Sequence, residues 1–184
     1  DFSHVMAGPY ASHLLRLMGA EVIKIEAPGI GDAMRNYGPD RRYDGMAPAF
    51  IAVNAGKKSV VLNLKHAPAR EAARRLIASA DVVLENFRPG VMARLGLDYD
   101  SVRPLQPRMV YCSVSGYGQH SPRRDWPAID NIVQATSGMM SLSGEQDDDP
   151  MRVGFPVVDT LTGQTAAFAI LAALFRRERS GAGE

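Results

Sequence analysis

Short apolar runs alternate along this chain with segments of helical spacing. Residues 21–26, 59–64, 81–85 and 109–115 are short strand-like runs rich in Val, Ile and Leu, and they predict β-strands. Between them, residues 9–18 and 67–80 show the recurrence of helices. Pro9 and Pro68 each suit a first helical turn, where the missing N–H has no partner to lose. Shorter helices are expected at 90–95 and 101–106. Residues 28–48, rich in Gly, Pro, Asp and Arg, predict a long irregular loop, a feature uncommon unless it serves a function or an interface. Strands alternating with helices predict an α/β fold, an open parallel sheet flanked by helices. No internal repeat, low-complexity stretch or internal domain boundary interrupts the pattern.

Composition narrows the function classes. A chain of 184 residues, 46% hydrophobic and 22% charged, can bury a core of ordinary globular kind. A net charge of +1 supplies no overall basic field, so nucleic acid is not an expected partner. The single cysteine, Cys112, cannot form an internal disulfide; it suits a reducing cytoplasm and the role of a small core residue. No signal-peptide pattern is present, and the longest apolar run of the last helix is shorter than the roughly 20 residues of a membrane span. No membrane partner is therefore expected. The chain opens at Asp1 without methionine and stops at SGAGE just after a helix, which reads as a fragment.

The most informative residue is Asp159, within MRVGFPVVDTLTGQTAAFAILAALFRR (residues 151–177). A carboxylate at the mouth of an apolar helix is either an N-cap, accepting the free N–H groups of the first turn, or a nucleophile able to hold an acyl group covalently. The small residues Gly154, Thr160 and Gly163 leave room for a substrate. Three further segments fall at the carboxyl ends of expected strands, where open α/β sheets bind ligands: HVMAGP (4–9), LNLK (62–65) and ENFRPGVMAR (85–94). The lysine and arginines of the last two suit phosphate groups. No G-x-G-x-x-G follows a strand, which argues against a dinucleotide site, and no His/Cys/Asp group has zinc spacing, so no metal is expected.

Several blocks occur in order: DFSHVMAGPYASHLLRLMGAEVIKIEAPGIGDAMR (1–35), NAGKKSVVLNLK (54–65), ADVVLENFRPGVMARLGL (80–97), MVYCSVSGYG (109–118), AIDNIVQATSGMMSLSG (128–144) and the Asp159 segment. Together they resemble the class III CoA-transferase family, which includes formyl-CoA and carnitine CoA-transferases, over nearly all of the chain. The resemblance implies a Rossmann-like large domain, of which residues 1–184 are the N-terminal part, without the small domain and the C-terminal return segment. It implies coenzyme A or acyl-CoA as substrate, a small carboxylic acid as acceptor, and a homodimer whose monomers interlock. His4, Val5, Met6 and Ala7 would border the thiol end of CoA; Leu62, Asn63, Leu64, Lys65, Asn86 and Phe87 would line its path; Lys65, Arg88 and Arg94 would meet its phosphates. Asp159 would attack the donor thioester, passing through a mixed anhydride and an aspartyl-CoA thioester. A glycine-rich loop beyond residue 184 would shield that intermediate, so the fragment alone is expected to be inactive. Formyl-CoA transferases carry glutamine at the position of Met6, which argues against formyl and oxalate chemistry here.

Two other readings stay open. The α-methylacyl-CoA racemase branch of the same superfamily carries histidine before the aspartate in the block matching AIDNIVQATSG; this chain has Ile129 before Asp130, and isoleucine cannot transfer a proton. His120 is the nearest substitute, in a loop of Gln119, Ser121 and Pro122. The chain could also be a CoA-binding or assembly module without turnover. Succinyl-CoA is the expected donor. The acidic run at 145–149 reads as a solvated turn or a lid.

Overall fold

The computed structural model describes residues 1–144, 147 and 149–184. The expected lid at 145–149 therefore falls largely outside the described residues.

Four short strands form two parallel pairs. β1 (Ile23–Glu26) pairs with β2 (Lys58–Val61), Ile25 opposite Val60; β3 (Val82–Glu85) pairs with β4 (Val110–Ser113), Leu84 opposite Cys112. Residues 1–3 join the pairs: the Ile25 N–H donates to the Asp1 carbonyl at 2.8 Å, and the Phe2 N–H donates to the Leu84 carbonyl at 2.7 Å. The spatial order is β2, β1, residues 1–3, β3, β4. The chain thus begins in the middle, winds outward on one side and then crosses to the other, which is the doubly wound arrangement of an α/β Rossmann-like sheet.

β3 shows why the run 81–85 forms a strand buried on both faces. Val83 turns toward Phe2, Ile25, Ala73, Ile77, Leu97 and Met109, beneath helix α3 (Ala67–Ala78). Leu84 turns the other way, toward Ala11, Leu15, Ala166, Ala167 and Ile170, from α1 (Ala7–Leu17) and α7 (Val157–Ser180). Neither face meets water, so an uninterrupted apolar run is what such a strand needs. Burying the two side chains stabilises the fold by about 1.5–3 kcal/mol each.

α1 and α7 approach closely because Gly163 has no side chain: a Cβ there would stand 2.7 Å from the Ala7 carbonyl oxygen. By length and composition alone α7 could cross a membrane, contrary to the expectation from its apolar run. In this fold it packs along α1 instead, with Gly163, Ala166, Ala167 and Ile170 buried.

Several boundaries differ from expectation. β2 begins at Lys58 and ends at Val61, so the LNLK segment is a turn and not the end of a strand. The short helix expected at 101–106 forms as α5 (Tyr99–Val102) followed by a 3-10 turn at Arg103–Leu105; α4 (Val91–Leu95) forms as expected. The loop 28–48 is ordered by two 3-10 turns, Ala33–Asn36 and Arg41–Tyr43, capped by the side chains of Asp32 and Asp40. Helices α2 (Pro48–Asn54) and α6 (Asp130–Thr136) were not predicted. Both are only seven residues long, too short for a periodic apolar pattern to stand out. α2 adds Phe50 and Val53 to a third apolar cluster with Met34 and Ala47, which anchors the loop.

Candidate active site

A cleft of about 700 Å³ opens where the winding reverses, beyond the carboxyl ends of residues 1–3 and β3. His4, Val5, Met6 and Ala7 form one wall, Asn86 and Phe87 a second, and Ile129, Asp130, Gly154, Phe155 and Asp159 close it. Seven of the residues expected in the site are therefore brought together: His4, Val5, Met6, Ala7, Asn86, Phe87 and Asp159.

Asp159 lies in the first turn of α7 but is not its cap. Pro156 holds the N-cap position and makes no side-chain cap hydrogen bond. The capping groups come from elsewhere: Asp130 Oδ1 accepts the N–H of Val158 at 2.8 Å and that of Asp159 at 3.1 Å. Asp130 is held in turn by Gln134, whose Nε2 donates to its Oδ2 and whose Oε1 accepts the Val153 N–H at 2.9 Å. Gln134 is completely buried. With capping taken over by Asp130, the Asp159 carboxylate faces the cleft and takes no hydrogen bond from any described residue. Burial first, then repulsion from Asp130, pushes its pKa up to about 6.

The opposite wall is built on strain. Val5 has φ 66°, a left-handed conformation that a β-branched residue adopts at a cost of about 1–3 kcal/mol. Asn86 clamps the preceding residue, its Oδ1 accepting the His4 N–H at 2.8 Å and its Nδ2 donating to the His4 carbonyl at 2.8 Å. The His4 ring packs tilted against Phe87, with centroids 5.4 Å apart. Burial, and after it the Lys24 ammonium, lowers the His4 pKa, with Asp32 acting the other way. Phe87 also touches the core, so it serves packing as well as the cleft.

Residues 1–184 match the family model described as CoA-transferase family III. The chain belongs to this family. Among its relatives, the succinate–glutarate CoA-transferase of Agrobacterium fabrum is 44% identical over 189 residues, a match covering 100% of this chain and 47% of that protein. The acetyl-CoA:oxalate CoA-transferase of Acetobacter aceti is 45% identical over 185 residues, again covering 100% of this chain and 47% of the relative. The crystal structure of a CAIB/BAIF family protein from Brucella suis superposes with a TM-score of 0.95 at 38% identity, covering 100% of this chain and 49% of that one. The chain thus spans about half the length of the curated relatives it matches.

The other residues expected from the family stand apart from the cleft. Leu62 and Leu64 pack against the core below β1, and Asn63 Oδ1 accepts the Lys65 N–H at 3.2 Å in the turn after β2. Lys65, Arg88 and Arg94 are exposed and line no part of the cleft. His120 is exposed and also outside it, whereas Ile129 is on its wall. Sequence reasoning assigned no role in the cleft to Tyr37, Asp130, Asn131, Arg152 or Phe155. For Asp130 a signal was available: an aspartate opening a short amphipathic segment, four residues before a glutamine. Cys112 is half-buried beside Leu84 and its neighbours, and burial pushes its thiol up to about 11, far from a reactive thiolate.

Proposed function

We propose that this chain carries the nucleophile and the thiol-end cleft of an acyl-CoA:carboxylate CoA-transferase, with Asp159 as the nucleophile. The observation that carries the reading is the separation of roles between two aspartates: Asp130 caps α7, which leaves the Asp159 carboxylate free in the cleft with a raised pKa. A more basic carboxylate is a better nucleophile, and at neutral pH a group with a pKa near 6 is still mostly ionised.

In the proposed reaction an Asp159 oxygen attacks the thioester carbonyl of the donor, the C–S bond breaks, and CoA leaves as thiolate. The thiolate then attacks the aspartyl carbon of the mixed anhydride, releasing the donor acid and forming aspartyl-CoA. The acceptor carboxylate attacks that thioester, expelling thiolate once more and forming a second anhydride. Attack of thiolate on the acceptor's acyl carbon gives the new acyl-CoA and restores Asp159. No net proton is gained or lost, which suits a cleft whose histidine is held neutral. His4, Val5, Met6, Ala7, Asn86 and Phe87 would confine the thiol end. Leu62, Asn63, Leu64, Lys65, Arg88 and Arg94 would serve the distal parts of CoA, reached outside the cleft along the same edge of the sheet.

The relatives named above act on succinate, glutarate and oxalate, and a dicarboxylic acceptor is part of the proposal. Arg152, exposed on the cleft wall, is the cation placed to meet its second carboxylate. An interlinked homodimer in the cytoplasm belongs to the same proposal. Its support here is the exposed row Leu161, Phe168 and Phe175 on α7, which is suited to cover by another chain.

The test is mass spectrometry of the intact protein after incubation with succinyl-CoA and hydroxylamine, which captures an activated aspartyl group as a hydroxamate. A hydroxamate at Asp159, absent in Asp159→Ala, is the expected result. An unmodified Asp159 peptide with several acyl-CoA donors, together with measurable CoA binding, would leave a binding module instead. The racemase reading has the weaker support, because Ile129 holds the wall position and His120 is outside the cleft.

A further inference from the structure

We infer that Asp32, which does not line the cleft, is a positioning residue for it: its buried carboxylate holds Val5 in the left-handed conformation and thereby sets the His4–Ala7 wall of the cleft that holds Asp159. The inference rests on the transferase reading above.

The geometry is convergent. Both oxygens of Asp32 accept the Val5 N–H, at 3.1 and 3.2 Å. Asp32 is completely buried, and its partner Lys24, 2% exposed, places Nζ 2.9 Å from Oδ2 while also donating to the Ser3 carbonyl at 2.6 Å. The carboxylate is fixed from its own side as well: Oδ1 accepts the Met34 N–H at 2.9 Å, and the Asp32 N–H donates to Glu26 Oε2 at 2.9 Å. Asn86 holds the His4 N–H and the His4 carbonyl, and Asp32 takes the Val5 N–H, so the His4–Val5 peptide is held from both of its polar ends. With that peptide fixed, and the Met6 carbonyl held on the other side by the Tyr10 N–H at 2.8 Å as α1 begins, the backbone must turn at Val5, although valine disfavours that turn. Capping the Met34 turn needs only an exposed aspartate. It does not require a buried lysine or a second bond reaching Val5, 27 residues away in the chain.

A role confined to folding and a role in positioning make different demands on Val5. Removing Asp32 alone would strand the Lys24 charge in the interior, so the pair is replaced together. Lys24→Met with Asp32→Asn keeps an acceptor for the Val5 N–H; Lys24→Met with Asp32→Leu keeps the volume and removes the acceptor. Each pair is made in the intact protein with Val5 as it stands and with Val5→Gly, because glycine adopts a positive φ without a holding bond. Melting temperature and CoA-transfer kinetics from succinyl-CoA to glutarate are measured on all four.

With Val5 present, the Leu variant is expected to show a kcat at least tenfold below the Asn variant, with KM for acyl-CoA changed less. With Val5→Gly that ratio should shrink to threefold or less. Equal kcat for the two variants overturns the inference, as does a deficit that glycine leaves unrelieved. If the leucine does not pack and melting collapses, Lys24→Met with Asp32→Ala provides the same comparison. Failure of the underlying reading looks different: the unsubstituted protein then transfers no CoA and yields no hydroxamate at Asp159, and the inference falls with it.

Discussion

Asp130 and Asp159 divide one local job between two helices: the first, at the start of α6, accepts the N–H of the second at 3.1 Å and so caps a helix to which it does not belong. An aspartate in a first turn ordinarily spends its carboxylate on the free N–H groups around it. Here that demand is met from outside, and the carboxylate on α7 faces the cleft without a hydrogen bond from any described residue.

Substitution of Asp130 separates its two effects. Asp130→Asn keeps an oxygen for the Val158 and Asp159 amides and removes the negative charge, so the Asp159 pKa should fall; its Nδ2 cannot accept from Gln134 Nε2, which should cost about 1 kcal/mol. Asp130→Ala removes the cap as well and should cost about 1 kcal/mol more by urea unfolding. The pH dependence of hydroxamate formation reports the pKa in each variant. An unchanged pKa in Asp130→Asn would show that burial alone raises it.

The raised pKa also sets a pH dependence. In the proposed reaction Asp159 attacks as the carboxylate, so its acylation rate should rise with pH through about 6 and then level off. For stability the sign is opposite. A folded pKa raised above 3.8 gives stability that is fully present below the unfolded value and lost as pH rises through the folded one. Asp159→Asn should therefore melt higher than the unsubstituted protein at pH 8, with the gap closing toward pH 4. Melting curves across that range check it, and a gap that widens at low pH would contradict the assignment.

Gly163 keeps α7 against α1. Gly163→Val would drive a side chain into the Ala7 carbonyl and the Tyr10 ring, and overpacking of this kind costs about 1–3 kcal/mol. Because Ala7 belongs to the cleft wall, KM for acyl-CoA should rise alongside the loss in chemical stability. A destabilised variant with unaltered KM would place the strain away from the wall.

Arg152 is the test of acceptor recognition. Arg152→Ala should lower kcat/KM for dicarboxylic acceptors about tenfold or more, the worth of one charge-assisted hydrogen bond, and should leave monocarboxylic acceptors nearly untouched. Parallel assays with glutarate and butyrate decide it.

The sheet was largely legible in the chain. The runs around β1, β3 and β4 were found within one or two residues: β3 is apolar because both its faces are covered, and β1 keeps Ile23 and Ile25 on one face while its Lys24 and Glu26 are buried on the other in ion pairs that local sequence does not reveal. The run at 59–64 misled: Leu62 and Leu64 are apolar because they pack on the core, although their backbone has already turned away from the ladder. Periodicity could not expose α2 and α6, which are two turns long. Seven of the expected site residues converge on the cleft, and the family blocks carried that much of the site; the cations Lys65, Arg88 and Arg94 lie outside it.

By itself, then, the sequence determined the α/β alternation, the family and the identity of Asp159 as the residue to examine, since all three are written in local spacing and in ordered blocks. It left open whether that aspartate capped its own helix. Only the tertiary structure decided this, because the deciding hydrogen bond joins residues 29 apart, and the bond that bends Val5 joins residues 27 apart. An amide has no preference in sequence for the carboxylate that will reach it; burial and the packing of separate elements bring one within hydrogen-bond distance, 3.1 Å in both cases, and exclude the water that would otherwise take its place.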